Sequence, residues 1–138
     1  MTILQTQTTS FKKELYQAVH NLSTDTIYIA LYTGNADLNE DTTVYSATNE
    51  VSGTGYAAGG QALTGVAISS SGYVAYVNWA NVSWTAALTA RCALIYNVTQ
   101  GNKSIAVLDF GSDKTSTTTF TITMPANTST TALIRSSN

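Results

Sequence analysis

The sequence predicts a mainly β fold, a β-sandwich of about seven to nine antiparallel strands, Ig-like or jelly-roll in type, with one short N-terminal helix. Three observations support this prediction. Apolar and polar residues alternate with a period of 2 from Asp25 onward. The alternating segments are short and separated by turns that contain Gly or Asn. A helical period of 3.6 occurs between Phe11 and Leu22 and does not recur, which argues against folds that alternate strands and helices.

The N-terminal residues divide into two predicted parts. Residues 1–9 are polar and predict a flexible arm that does not pack on the core. Ser10 is a suitable N-cap for a helix over about 10–21, and residues 10–138 are predicted to form one β-sandwich domain that includes this helix. Its apolar face comprises Phe11, Leu15, Val19 and Leu22. A helix this short must pack on another surface, and the β-domain that follows offers one.

The strands follow in order along the rest of the chain. The clearest one spans residues 26–33, where Ile27, Ile29 and Leu31 share one face. An acidic loop over 34–50 and a glycine-rich loop over 52–60 come next. Further strands are predicted at 62–69, 72–79, 81–85, 90–98, 103–110, 117–124 and 131–136.

The expected positions of these strands differ in burial. Continuous apolar runs at 93–95 and 105–110 predict central strands that are buried on both faces. The alternation around Phe120 and Ile122, flanked by threonines, predicts a half-exposed strand. Trp79 and Trp84 are expected in the core because burying a tryptophan is worth a few kcal/mol.

The composition limits the function. Thr and Ser account for 38 of 138 residues, charged residues for 10%, and there is one His, one Cys and one Pro. A net charge of −2 with scattered basic residues argues against a nucleic-acid partner. No apolar run approaches the roughly 18 residues of a membrane span, and the polar N-terminus lacks a signal-peptide core. We therefore expect synthesis in a cytosol and no membrane partner.

The few reactive side chains have structural interpretations. His20 is expected to favour the negative end of the helix dipole, and Cys92 to be a small buried hydrophobe. The acidic loop 37–41 resembles half a calcium loop, but Thr42 and Thr48 occupy the positions of the required Gly and Glu. A solvated loop is expected, with a weak, irregular cation site as the alternative. We predict no catalytic residue, no metal and no cofactor.

Four side chains are candidates for an interface. Phe11 and Leu15 lie on the apolar face of the helix, and Tyr45 and Tyr56 lie in loops. Tyrosine suits interfaces because it offers a large contact area and one polar tip. The alternative for the two tyrosines is packing within the domain. The glycines of residues 53–60 are expected to form a structural loop that needs positive φ angles, since no helix follows them.

Several segments together resemble a family of small structural proteins of tailed bacteriophages. The segments are Ser10–Leu15, Ile27–Tyr32, Tyr45–Gly60, Ala90–Asn97 and Val107–Gly111. The resemblance covers nearly the whole chain, and Glu50–Gly60 is its most specific part. It implies a virion component that is made in the host bacterial cytoplasm, without implying its place in the particle.

The resulting expectation is a non-enzymatic virion protein that decorates and stabilises the capsid as a cement protein. A neck, tail or fibre-attachment protein is the alternative. A host-surface carbohydrate-binding module, using Tyr45, Tyr56 and the acidic loop, is a second alternative. Expected partners are copies of the chain itself, as a trimer, and the major capsid protein or other virion proteins. The Thr-rich segment Thr117–Thr123 is expected to offer an edge to another chain.

Overall fold

The computed structural model describes residues 2–137, and this part of the chain is mainly β with one short helix. Its elements are β1 (Thr6–Gln7), α1 (Thr9–Tyr16), β2 (Ile27–Tyr32), β3 (Gln61–Ala62), β4 (Ala67–Ser71), β5 (Val74–Asn78), β6 (Val82–Trp84), β7 (Thr89–Asn97), β8 (Lys103–Thr115), β9 (Phe120–Ile122) and β10 (Ile134–Ser136). The eight predicted strands correspond to β2 and to β4–β10. The two-residue strands β1 and β3 bring the number in residues 2–137 to ten, above the predicted seven to nine. Neither was predicted as a separate strand, because two residues are too few to produce an alternation in the sequence.

The strands form three antiparallel sheets. The largest has the order β1-β8-β7-β2-β3, the second has the order β10-β5-β4, and β6 pairs with β9. In the largest sheet β7 and β8 lie at the centre, and most of their residues from Cys92 to Leu108 are buried. One face carries Ile29 and Ile95, while the other carries Leu94 and Val107. The predicted central strands buried on both faces are therefore present.

The main hydrophobic core joins residues from all three sheets. Trp79 and Trp84 are each 5% exposed and belong to the same cluster as Ile29 of the largest sheet. Phe120 and Ile122 of β9 point into this cluster, whereas Thr119, Thr121 and Thr123 are exposed. The tryptophan positions are confirmed, and the half-exposed strand predicted at 117–124 is present over the shorter span Phe120–Ile122.

The helix is shorter than predicted at its C-terminal end and begins earlier. Its N-cap is Thr8 rather than Ser10, and Thr8 Oγ1 accepts a hydrogen bond from Phe11 N at 3.3 Å. Ala18, with φ +58, ends the helix: Ala18 N donates to Leu15 O and Val19 N to Glu14 O. This is a Schellman arrangement whose left-handed position is usually Gly. Within residues 2–137, no helix has the length and apolar character needed to cross a membrane.

The N-terminal residues pack onto the domain instead of forming the flexible arm that residues 1–9 predicted. Thr6 and Gln7 pair with Val107 and Ala106 of β8. Thr8 is fully buried, and its hydroxyl lies 2.9 Å from that of Ser104. Edge pairing satisfies the backbone of this polar segment, which is why it docks without an apolar face of its own. Met1 lies outside the described residues.

Candidate functional site

The carboxylate of Glu50 is held by three donors, which we call the Glu50 latch. Tyr45 Oη donates to Glu50 Oε1 at 2.6 Å, and Tyr56 Oη donates to Glu50 Oε2 at 2.6 Å. The backbone N–H of Gly59 donates to the same Oε2 at 2.7 Å. Charge-assisted hydrogen bonds of this length are stronger than neutral ones. The latch therefore fastens the loop before β3 to the acidic loop after β2.

The two loop tyrosines are thus structural parts of the domain. Tyr56 is 8% exposed, and its Oη also accepts from Leu31 N at 2.9 Å. Tyr45 is partly buried and stacks on Tyr96 with ring centroids 4.7 Å apart. Neither presents a free phenol to a partner or to a sugar. The sequence left two interpretations open for these tyrosines, an interface or packing within the domain. In the structure both tyrosines pack within the domain.

The glycine-rich loop has the positive φ angles that the sequence predicted. Gly55, Gly59 and Gly60 have φ of +93°, +97° and +81°. Gly59 also accepts at its carbonyl from Tyr96 Oη at 2.6 Å. The Glu50–Gly60 segment is therefore bonded to Leu31 of β2, to Tyr45 of the acidic loop and to Tyr96 of β7, and these bonds fix the two loops on the sheet.

Burial raises the pKa of three phenols in this region. Burial, followed by the charge of Glu50, raises the pKa of Tyr32. Burial, followed by the hydrogen bond to Glu50, raises the pKa of Tyr56. Burial, again with the charge of Glu50, raises the pKa of Tyr96 to about 12. In each case the ionised phenolate is disfavoured in the folded protein.

We expect the free energy of unfolding to decrease steeply above pH about 10, the ordinary pKa of tyrosine. There the unfolded chain loses protons that the folded chain retains, so the unfolded state is favoured as the pH rises. Three buried phenols give a slope of up to about 4 kcal/mol per pH unit, and the contribution of Tyr96 is complete near its folded pKa of about 12. Urea unfolding between about pH 8 and 11 measures it. Tyr56→Phe should reduce the slope by one proton, and a flat profile would contradict this reasoning.

His20 is buried in a polar network rather than exposed at the helix end. Its Nδ1 lies 3.0 Å from Asn97 Nδ2, and its Nε2 lies 2.9 Å from Glu14 Oε1. Because the amide donates to Nδ1, the ring proton lies on Nε2 and points to the carboxylate. The ring also contacts Phe11, with centroids 5.0 Å apart. Both ring nitrogens are occupied by these bonds, so the imidazole joins the segment after α1 to β7.

Cys92 and the acidic loop are the other reactive candidates. Cys92 is fully buried, and burial, followed by the charge of Asp109, raises the pKa of its thiol to about 12. In the acidic loop, Asp37 Oδ1 accepts from Thr2 N and from Asn39 Nδ2, each at 3.1 Å. Among residues 2–137, no group of three or more His, Cys, Asp or Glu side chains is arranged to hold a metal ion.

An apolar groove lies between α1 and the β4–β5 hairpin, and we call it the helix–hairpin groove. It has a volume of about 440 Å³, and its lining includes Phe11, Leu15, Leu22, Ile68, Val77 and Ile134. Phe11 forms its fully buried floor, whereas Leu15 and Ile68 are 40% and 56% exposed. Of the four predicted interface residues, Leu15 is accessible to a partner and Phe11 reaches the groove from below.

Two exposed tyrosines were not predicted. Tyr16 is 92% exposed at the end of α1, and Tyr73 is 94% exposed in the β4–β5 turn. Their positions in the sequence could have indicated this exposure, because Tyr16 lies off the apolar face of the helix and Tyr73 follows Gly72.

A second groove, of about 570 Å³, runs along β9 and the outer part of β8. Its lining includes Phe110, Lys114 and several threonines. It belongs to the Thr-rich segment that the sequence singled out, and β9 is paired there with β6.

Comparison of the chain with protein-family models, with curated proteins and with solved structures found no match. The functional interpretation therefore depends on the geometry of the domain and on the expectation, from the sequence alone, that the chain is a virion component.

Proposed function

We propose that this chain is a non-enzymatic structural protein of a tailed-bacteriophage virion and that it decorates the capsid as a cement protein. The observation that carries the proposal is the helix–hairpin groove. Leu15 and Ile68 expose apolar surface on its two walls, in a domain whose other large apolar side chains are mostly buried. An apolar groove with exposed side chains on both walls offers a surface on which another protein can pack.

The polar chemistry of the domain supports the same function. The Glu50 carboxylate is held by two phenols and one amide, and the His20 ring is held by Glu14 and Asn97. Both groups stabilise loops and helix attachment. A protein that works by its shape needs such rigid loops, because rigid surfaces lose little conformational entropy when they bind.

For the architecture we propose a β-sandwich of Ig-like or jelly-roll type. The support is the hydrophobic cluster shared by Ile29 of the largest sheet, Val77 of the second sheet and Trp84 of the third. Burial of a common apolar interior between sheets is typical of the layers of a sandwich. We propose as partners other copies of the chain and the major capsid protein, with the groove as the surface for the capsid.

Incorporation into the particle tests the groove directly. Leu15→Lys places a charge on an apolar wall and should strongly reduce the amount of protein in purified virions, while the helix keeps its propensity and gains a favourable charge near its C-terminus. Tyr16→Lys is the matched control, because it adds the same charge at a neighbouring exposed position outside the groove. Unfolding curves check that both variants fold.

A reconstruction of the wild-type particle gives the location. We expect a small β-domain at repeated positions on the outer capsid surface, with the helix–hairpin groove against the shell. Equal incorporation of the two lysine variants, or density confined to the neck or tail, would contradict the cement proposal.

A further inference from the structure

The outer edge of β4 is an open sheet edge. β4 pairs with β5 on one side, and residues 2–137 provide no strand on its other side. All five residues of β4, Ala67–Ser71, are exposed. The opposite edge of this sheet, at β10, is approached by the side chain of Gln7, whose Nε2 donates to Arg135 O at 3.0 Å. The open backbone groups of this sheet are therefore concentrated at β4.

The turn of the hairpin determines which backbone groups face outward. Ser71 pairs with Val74 across a two-residue turn, in which Gly72 has φ +59. The residues that flank such a turn are hydrogen-bonded to each other, and hydrogen-bonded and non-bonded pairs alternate along the ladder. Ser69 therefore bonds to β5, whereas Ile68 and Ser70 direct their N–H and C=O groups to the open edge.

This edge lacks the features that usually prevent pairing. Between Glu50 and Arg91 the sequence contains no charged residue and no proline. The β4–β5 register runs from Ala67 to Ser71 without a bulge. Natural edge strands commonly carry a charge, a proline or a bulge that blocks association. An uncharged partner surface suits this edge best, and an identical copy supplies one without repulsion.

We propose that two copies of this chain pair through antiparallel β4 strands about a two-fold axis at Ser69. In this register Ile68 lies opposite the partner's Ser70, and each such pair exchanges both of its N–H···O bonds, since these are the residues that face outward. Ser69 lies opposite the partner's Ser69 as a non-bonded pair of small side chains. The two three-stranded sheets become one six-stranded sheet. Such an isologous contact closes as a dimer instead of the expected trimer.

The inference adds to the proposed function the surface through which copies of the chain pair, and it is tested on the purified protein without a virion, so that its failure and the failure of the virion proposal are distinguishable. Sedimentation equilibrium over about three decades of concentration, up to roughly 1 mM, should show a monomer–dimer equilibrium. Ser70→Pro removes an outward N–H from each copy and leaves the bonds to β5 intact, as edge strands tolerate. It should raise the dissociation constant about tenfold to a hundredfold. Ser70→Thr is the matched control, because it keeps the N–H and should dimerise like the wild type.

A second variant and a second measurement make the test independent of how the proline folds. Ile68→Lys places a charge in the edge of both copies and should also weaken the dimer. In amide hydrogen exchange, Ile68 and Ser70 should become protected as the protein concentration rises, whereas Ser69 should be protected throughout because it bonds to β5. A protein that stays monomeric at every concentration, or a dimer that neither variant weakens, would overturn the proposal.

Discussion

Gly60→Ala is expected to prevent stable folding. An ideal Cβ at this position would lie 1.8 Å from the carbonyl oxygen of Ile29 and 2.7 Å from its carbon. Both atoms belong to the backbone of β2, so no side-chain rotation can relieve the overlap. The positive φ of +81° adds strain for any residue with a Cβ. Relief requires moving the loop away from β2, which breaks the pairing of Ile29 with Gln61 in β3.

The expected cost is about 4–5 kcal/mol or more, which is comparable to the whole stability of a marginal domain. Gly72→Ala is the matched control. Gly72 also has a positive φ, +59°, but nothing lies within 4 Å of the Cβ that would be added. It should cost only about 1–2 kcal/mol of backbone strain. Urea unfolding of the two variants separates the close approach from the φ angle, and equal losses would show that Ile29 does not constrain this loop.

Phe11→Ala is expected to lower the free energy of unfolding by about 3–5 kcal/mol. Phe11 is fully buried, belongs to the main core and contacts the ring of His20. Its removal leaves a cavity beneath α1 and weakens the attachment of the helix to the sheets. The sequence predicted Phe11 as a candidate interface residue. If Phe11 served only an interface, Phe11→Ala would cost the isolated protein little stability.

The control for this variant lies on the same helix. Tyr16→Ala removes a larger side chain that is 92% exposed, and it should change stability by no more than about 0.5 kcal/mol. Thermal or denaturant unfolding of the purified protein provides both numbers. A small loss for Phe11→Ala would mean that the helix is peripheral to the core.

The strands were predictable because their side chains alternate in the sequence itself. β6 and the segment after it show this most clearly, since every second residue from Val82 to Ala90 is buried. Long apolar runs likewise identified β7 and β8 as central. Such patterns report directly which face of a strand meets the core.

Other features depend on partners that are distant in the sequence. β1 is polar and two residues long, and its pairing with β8 joins positions separated by about a hundred residues. The end of α1 depends on Ala18, which adopts a left-handed conformation. Helices usually have Gly at this position. Neither a short polar strand nor an alanine in this role leaves a periodic signal.

The candidate site was predictable only in part. The sequence correctly indicated a glycine loop with positive φ angles and a buried Cys92. It did not indicate that the Glu50 carboxylate would accept bonds from Tyr45 and Tyr56, because hydrogen bonds between loops leave no mark on periodicity. The exposed walls of the helix–hairpin groove required the three-dimensional placement of α1 beside β4.

The most direct test of the virion proposal is the number of copies of this chain in purified phage particles, which the proposal expects to contain it. Quantitative mass spectrometry against the major capsid protein provides that number. A cement protein binds at repeated lattice sites, where many individually weak contacts act together, and should therefore be present in roughly hundreds of copies. About a dozen copies, in register with a portal or tail, would contradict the cement role and support a neck, tail or fibre-attachment protein. No copies would contradict the virion proposal itself.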